Sequence, residues 1–306
     1  MEKGHLKVTG KLYFKRYVIG ICKDQIENII RNKTFDPEIK WLPLRSFRKF
    51  QADPFIVSLE DESINIVLEE FAYKDHYARI ALLTLDKSFG EIGYKNLLDT
   101  KSHISYPFVF SENDKIYLFP EAKRSGKLSC YEFHPEPANL SFVKHVLEVP
   151  LVDATIIKHN DSYWIFGSSF REDKKYELFV YFSDNLLGPY TAHSANPVKI
   201  GFDGIRSAGA FFVVDGCIYR PTQNCEIEYG DSITINKVTQ LNKANIIEEP
   251  YMKISISRNN SHNRKLHTIH TINIKGDFIV VDGKYWTFSP FYKLFVYLRD
   301  LIHRFA

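Results

Sequence analysis

Between Phe50 and Trp286 the apolar positions fall in short runs broken by polar turns, and no long stretch follows a helical period. Four segments share one grammar of short motif, apolar strand, polar turn and second strand with a polar end. They are ADPFIVSLEDESINIVLEEF from Ala52, SYPFVFSENDKIYLFPEA from Ser105, VDATIIKHNDSYWIFGSS from Val152 and SAGAFFVVDGCIYRPTQ from Ser207. A weaker fifth, HTINIKGDFIVVDGKYW, starts at His270. Aligned, they place Asp53, Tyr106, Asp153 and Ala208 at equivalent points, 53, 47 and 55 residues apart. The turns carry hairpin chemistry, such as Asn-Asp and Asp-Gly. Further strands follow each pair, for example ARIALLTLD and YELFVYFSD, giving about four per unit, as in propeller blades.

The pattern predicts an all-β chain: a five-bladed β-propeller over 50–289, a lead-in of 1–49 packed on it, and a short C-terminal amphipathic helix over 290–306. A β-sandwich with accidental hairpin similarity is the alternative. The polar ends recur in register as well as the apolar cores, which favours the propeller.

In a propeller the first strand of each blade lines the axis, so residues at its start and at the end of the second strand converge on one mouth. The converging set predicted here is Asp53 with Glu70, Tyr106 with Glu121, Asp153, then Arg206, Arg220, Gln223 and Asn224 of blade four, and His270 of blade five. Glu69 and Glu70 are adjacent, so strand alternation lets only one face the channel; Glu70 is the choice. Asp53 precedes Pro54, a step expected to begin the strand extended.

Carboxylates grouped around a pocket suit glycosidic bond chemistry, in which one acid donates a proton and another stays ionised. Crowding them pushes their pKa values apart and permits that division. Asp also commonly caps turns, but two Asp at matched repeat positions with Glu at matched strand ends favour a site. Asp53, Asp153 and Glu121 are therefore the catalytic candidates, and Glu70, Tyr106, Arg206, Arg220, Gln223, Asn224 and His270 the substrate-binding ones. Arg206 and Arg220 could bind an anionic sugar or phosphate, or pair with the acids.

The remaining chemistry narrows the picture. With 40 basic and 37 acidic residues and no basic stripe, nucleic acid is not an expected partner. The four cysteines lack metal-type spacing and read as free thiols of a reducing compartment. Neither a metal nor a cofactor is expected. The N-terminal apolar run is too interrupted by charge for a signal peptide, so a cytoplasmic protein is expected. In the tail PFYKLFVYLRDLIHRFA the apolar residues share one helical face. That helix would dock on protein, or lie at the inner face of a membrane near anionic lipid.

Taken together, ADPF, SYPFVF, FPEAKRSGKLSCYEF, VDATIIKHNDSYWIFGSS, RSAGAFF, YRPTQNC, YGDSITINKV and HTIN resemble the N-terminal domain of glucosamine inositolphosphorylceramide transferases, over roughly Val18 to Trp286. That domain in turn resembles the propellers of glycoside hydrolase family 43. The resemblance implies a base at Asp53 and a pKa-modulating acid at Asp153. It also implies a general-acid Glu at the start of blade four, where this chain has Arg206-Ser207-Ala208-Gly209. In the plant-type proteins the recognised transferase activity belongs to a separate C-terminal domain. The expected function is glycosyl transfer at an acidic axial pocket in cell-surface glycan biosynthesis, with a glycan or nucleotide-sugar as substrate. Furanosidase-like hydrolysis and non-catalytic glycan binding beside a partner transferase are the alternatives.

Overall fold

The computed structural model describes residues 13–288 apart from 47, 171–175, 228 and 256–265. Five antiparallel sheets fan around one axis, each laid out from the inside outward. Blade one comprises Lys49–Leu59, Ser63–Ala72, Tyr77–Asp86 and Glu91–Leu98. Blade two comprises Ser105–Glu112, Lys115–Glu121, Leu128–Pro135 and Ala138–Leu147. Blade three runs from Val152–His159 through Ser162–Phe170 to Tyr176–Ser183, with two short strands outside it. In blade four the inner edge is split into Asp203–Ser207 and Phe212–Val214, followed by Cys217–Asn224, Ser232–Leu241 and Ile246–Ile254.

Blade five is assembled from both ends of the described chain. Leu266–Lys275 and Phe278–Phe288 supply its inner strands, Tyr13–Lys23 the third and Lys40–Trp41 the outermost. The segment 1–49, expected to pack on the propeller as a lead-in, thus contributes strands to the ring itself. Ile19 and Ile21, both fully buried, anchor that closure against Leu68, Leu83 and Val280. The helix Ile26–Asn32 then buries Ile26, Ile29 and Ile30 beside Val214 and Tyr219 of blade four.

The repeated turns fold as their residues dictate. Asn113-Asp114, Asn160-Asp161 and Asp215-Gly216 all have positive φ at both central positions, the geometry whose twist matches that of flanking strands. Between blades lie four apolar clusters, built from the large β-branched and aromatic side chains of facing sheets. The helix expected over 290–306 lies outside the described residues. Among the described residues no helix is long and apolar enough to cross a membrane.

Candidate active site

The inner strand of every blade breaks register at the same level: between Ala52 and Phe55, Ser105 and Pro107, Val152 and Thr155, Asp203 and Ser207, and Ile269 and Thr271. A bulge there re-aims side chains toward the axis. Asp53, Tyr106 and Asp153 occupy three of these bulges with φ of 50°, 41° and 50°. The step into Pro54, expected to be extended, is therefore left-handed. Such a backbone costs about 1–2 kcal/mol at a non-glycine residue, and carboxylates offset it here by accepting the exposed N–H groups. Asp53 N–H donates to Asp282 Oδ2 (3.0 Å), Tyr106 N–H to Asp53 Oδ2 (3.3 Å) and Asp153 N–H to Glu121 Oε2 (3.1 Å). In blade four the equivalent turn needs Gly209: at φ 144° its N–H meets Tyr106 Oη at 3.0 Å, and a Cβ would lie 1.9 Å from Ile272 O.

These bulges surround a cavity of about 430 Å³ lined by Asp53, Glu69, Glu121, Asp153, Arg206 and His270, with Tyr17, Phe50, Phe71, Tyr73 and Tyr229 among its aromatic walls. Phe50 and Phe71 stack with centroids 4.9 Å apart. Arg206 Nε donates to Asp153 Oδ2 at 2.7 Å, and Gln223 Nε2 donates to the same oxygen at 3.0 Å. The guanidinium also lies over the rings of Tyr229 and Tyr176, 4.7 and 5.4 Å from their centroids. Among the described residues its Nη atoms have no hydrogen-bond partner. His270 Nδ1 sits 3.0 Å from Asp282 Oδ2 and 3.4 Å from Asp53 Oδ1, and its Nε2 sits 2.9 Å from Tyr229 Oη.

Crowding shifts the acids strongly. Burial pushes Glu69 up to about 8, with Glu121, Asp282 and Asp153 adding to the rise and a hydrogen bond with Asp53 opposing it. Burial and then Asp153 push Glu121 up to about 8, against the pull of Arg206. Burial also carries Asp53 well above the ordinary carboxylate range despite His270 beside it. For His270 burial disfavours charge, but Asp282 and Asp53 outweigh it and raise the imidazole's pKa. The chamber thus combines protonated acids with an Arg–Asp ion pair, the two protonation states that proton-transfer chemistry requires.

Of the ten residues expected at the mouth, Asp53, Glu121, Asp153, Arg206 and His270 line the cavity together. Glu70 does not. It turns to the opposite face, where Lys49 Nζ and Tyr94 Oη donate to it at 2.7 Å each, and Glu69 takes the axial position. Arg220 does not line the cavity either: fully buried between blades, it forms a two-pronged pair with Glu248 (2.8 and 2.6 Å) and donates to Gly204 O. Gln223 and Tyr106 lie behind the wall, supporting Asp153 and Gly209. Asn224 is buried at the strand end, its Oδ1 accepting the Glu226 N–H.

Two positions at the site escaped the sequence reading. Asp282 interrupts the apolar run FIVVDGKYW, and a buried acid inside such a strand was the available signal. Tyr229 lies in a turn, where no periodicity marks it. Asp53, His270 and Asp282 each bring one potential ligand atom within 4.8 Å of one another. A proton on His270 Nδ1 bonds Asp282 Oδ2, and Asp53 Oδ1 at 3.4 Å is left buried without a hydrogen-bond partner among the described residues.

The five-bladed propeller is a fold that glycoside hydrolases of known structure also adopt. Among solved structures, the chain is similar to a family 117 glycoside hydrolase of Zobellia galactanivorans (TM-score 0.53, 13% identity, 92% of each chain). It is also similar to an exo-β-1,3-galactanase of Phanerochaete chrysosporium (TM-score 0.54, 12% identity, 69% of this chain and 54% of that one). At such identities the likeness establishes the fold. Residues 46–288 match the family described as glucosamine inositolphosphorylceramide transferase 1, N-terminal, and the chain belongs to that family. Relatives named glucosamine inositolphosphorylceramide transferase 1 are 34% identical in Arabidopsis thaliana and 32% in Oryza sativa subsp. japonica, over 61% and 50% of this chain. The chain spans 26% and 21% of those relatives' own lengths.

Proposed function

We propose that the axial cavity handles glycosidic bonds by acid–base glycosyl transfer, as part of cell-surface glycan biosynthesis. The observation that carries this reading is the grouping of Asp53, Glu69, Glu121 and Asp153 in one chamber, where burial keeps Glu69 and Glu121 protonated near neutrality while Asp153 accepts from Arg206 and Gln223. In this scheme the ionised form of Asp53, which His270 beside it favours, takes a proton from the acceptor hydroxyl while Glu69 stays protonated. Glu121 and the free edge of Arg206 hydrogen-bond the sugar, and the Phe50–Phe71 wall packs against its apolar face. The name of the relatives, glucosamine inositolphosphorylceramide transferase 1, agrees with a glycan substrate.

The test is a turnover screen of nucleotide-sugars and aryl glycosides, furanosides included, with wild type and Asp53→Asn. The expected result is turnover that the variant reduces by about 10²–10⁴-fold. Turnover retained in full by Asp53→Asn removes Asp53 from the chemistry.

A further inference from the structure

Blade four presents to the chamber the guanidinium of Arg206, which cannot act as an acid. Tyr229 stands on that side of the chamber. Its hydroxyl is 2.9 Å from His270 Nε2, and its backbone carbonyl is held by Lys284 Nζ at 2.8 Å. Behind His270, Asp282 is fully buried. Its Oδ1 accepts the Thr271 N–H (2.8 Å) and hydroxyl (3.1 Å), and its Oδ2 accepts the Asp53 N–H (3.0 Å). A carboxylate fixed by that many donors makes His270 Nδ1 the donor to it, which leaves Nε2 to communicate with Tyr229. Gly230 follows directly, at φ 61°; a Cβ there would lie 2.7 Å from His270 Cδ2, so the turn is shaped around the imidazole.

We propose that Tyr229 is a catalytic proton donor, backed by His270 and oriented through Asp282, and that it protonates the oxygen leaving the transferred sugar. As the glycosidic C–O bond breaks, its electron pair goes to the leaving oxygen, which takes the Tyr229 proton. The phenolate takes the Nε2 proton of the imidazolium, and the neutral ring keeps Nδ1–H on Asp282. The acceptor hydroxyl or water closes the new bond to carbon and gives its proton to the ionised form of Asp53. Arg206, 4.7 Å above the Tyr229 ring, stabilises the developing phenolate. The groups facing His270 are Asp282, Asp53, Tyr229, Tyr17 and Arg206; burial and Arg206 oppose its charge, and Asp282, which bonds it, and Asp53 outweigh them. Such a relay serves a donor whose leaving group is a sugar or alkyl oxygen, since phosphate leaves unaided.

This inference rests on the cavity acting on glycosidic bonds, and the test separates the two. Aryl and alkyl glycosides of graded leaving-group acidity are turned over by wild type, Tyr229→Phe and Asp53→Asn. The expected result is a loss of about 10²–10⁴-fold for Tyr229→Phe on alkyl leaving groups, with dinitrophenyl glycosides nearly unchanged. Equal loss on both substrates, or none, while Asp53→Asn is inactive overturns the relay and leaves the cavity's role intact. A wild type idle on every glycoside overturns both. Independently, nitrogen-15 NMR of His270 at pH 6 is expected to show both ring nitrogens protonated, with the Nε2–H resonance moved by Tyr229→Phe. A singly protonated ring indifferent to that change overturns the relay whatever the activity.

Discussion

Replacing Glu121 with Gln keeps the shape of the side chain and removes one titrating group from the centre of the ring. In the folded protein the Glu121 carboxyl is pushed up to about 8 by burial and by Asp153; in the unfolded chain it titrates near the ordinary value of about 4.3. Between those values the folded state holds a proton that the unfolded state has released. Stability must then fall as pH rises, by about 1.4 kcal/mol per pH unit. Below the unfolded value both states are protonated and the term vanishes; above the folded value the cost is complete. From pH 5 to pH 8 the wild type therefore loses about 4 kcal/mol through this group, an upper figure because water entering on ionisation relaxes the site. Urea unfolding of wild type and Glu121→Gln at pH 5, 6.5 and 8 reads that contribution together with the rise that Glu121 lends Glu69, which has the same sign. The expected outcome is a variant that gains on wild type steadily as pH rises. A stability difference that stays constant from pH 5 to 8 would refute the reasoning.

Other substitutions probe separate parts of the account. Arg220→Leu leaves Glu248 with only the longer Lys199 contact at 3.7 Å and should cost about 3 kcal/mol in urea unfolding, whereas Arg220→Met with Glu248→Leu should recover much of it; equal losses would show that the pair is not the cause. Gly230→Ala places a methyl group 2.7 Å from His270 Cδ2 at a backbone φ of 61°. It should cost about 1–3 kcal/mol and move the His270 ring resonances, and unchanged resonances would remove the turn from the positioning of His270.

Much of this was legible because a propeller repeats its instructions. The Asn-Asp and Asp-Gly turns and the matched Asp53 and Asp153 mark four blades directly, and Asp53, Glu121, Asp153, Arg206 and His270 follow once the blades are aligned. The bulge explains the errors. Strand alternation leaves the choice between Glu69 and Glu70 open, and the extra residues at Asp53-Pro54 pair Ala52 with Glu69, setting Glu69 toward the axis. Arg220 belongs to the same strand as Gln223, but its partner Glu248 comes from the outermost strand of blade four, a pairing that local pattern cannot reveal. The closure of blade five joins Tyr13–Lys23 to Phe278–Phe288 across nearly the whole chain, and no repeat period carries that information.

The central claim is that one chamber, defined by bulges of separate blades, binds the sugar. Calorimetric titration of wild type, Glu69→Gln and Glu70→Gln with a panel of nucleotide-sugars and glycosides tests it most directly. The account predicts a single binding event per chain that Glu69→Gln weakens at least about tenfold, a loss of about 1.4 kcal/mol, while Glu70→Gln leaves it unchanged. Binding that survives Glu69→Gln and disappears in Glu70→Gln would place the ligand on the other face of blade one and contradict the account.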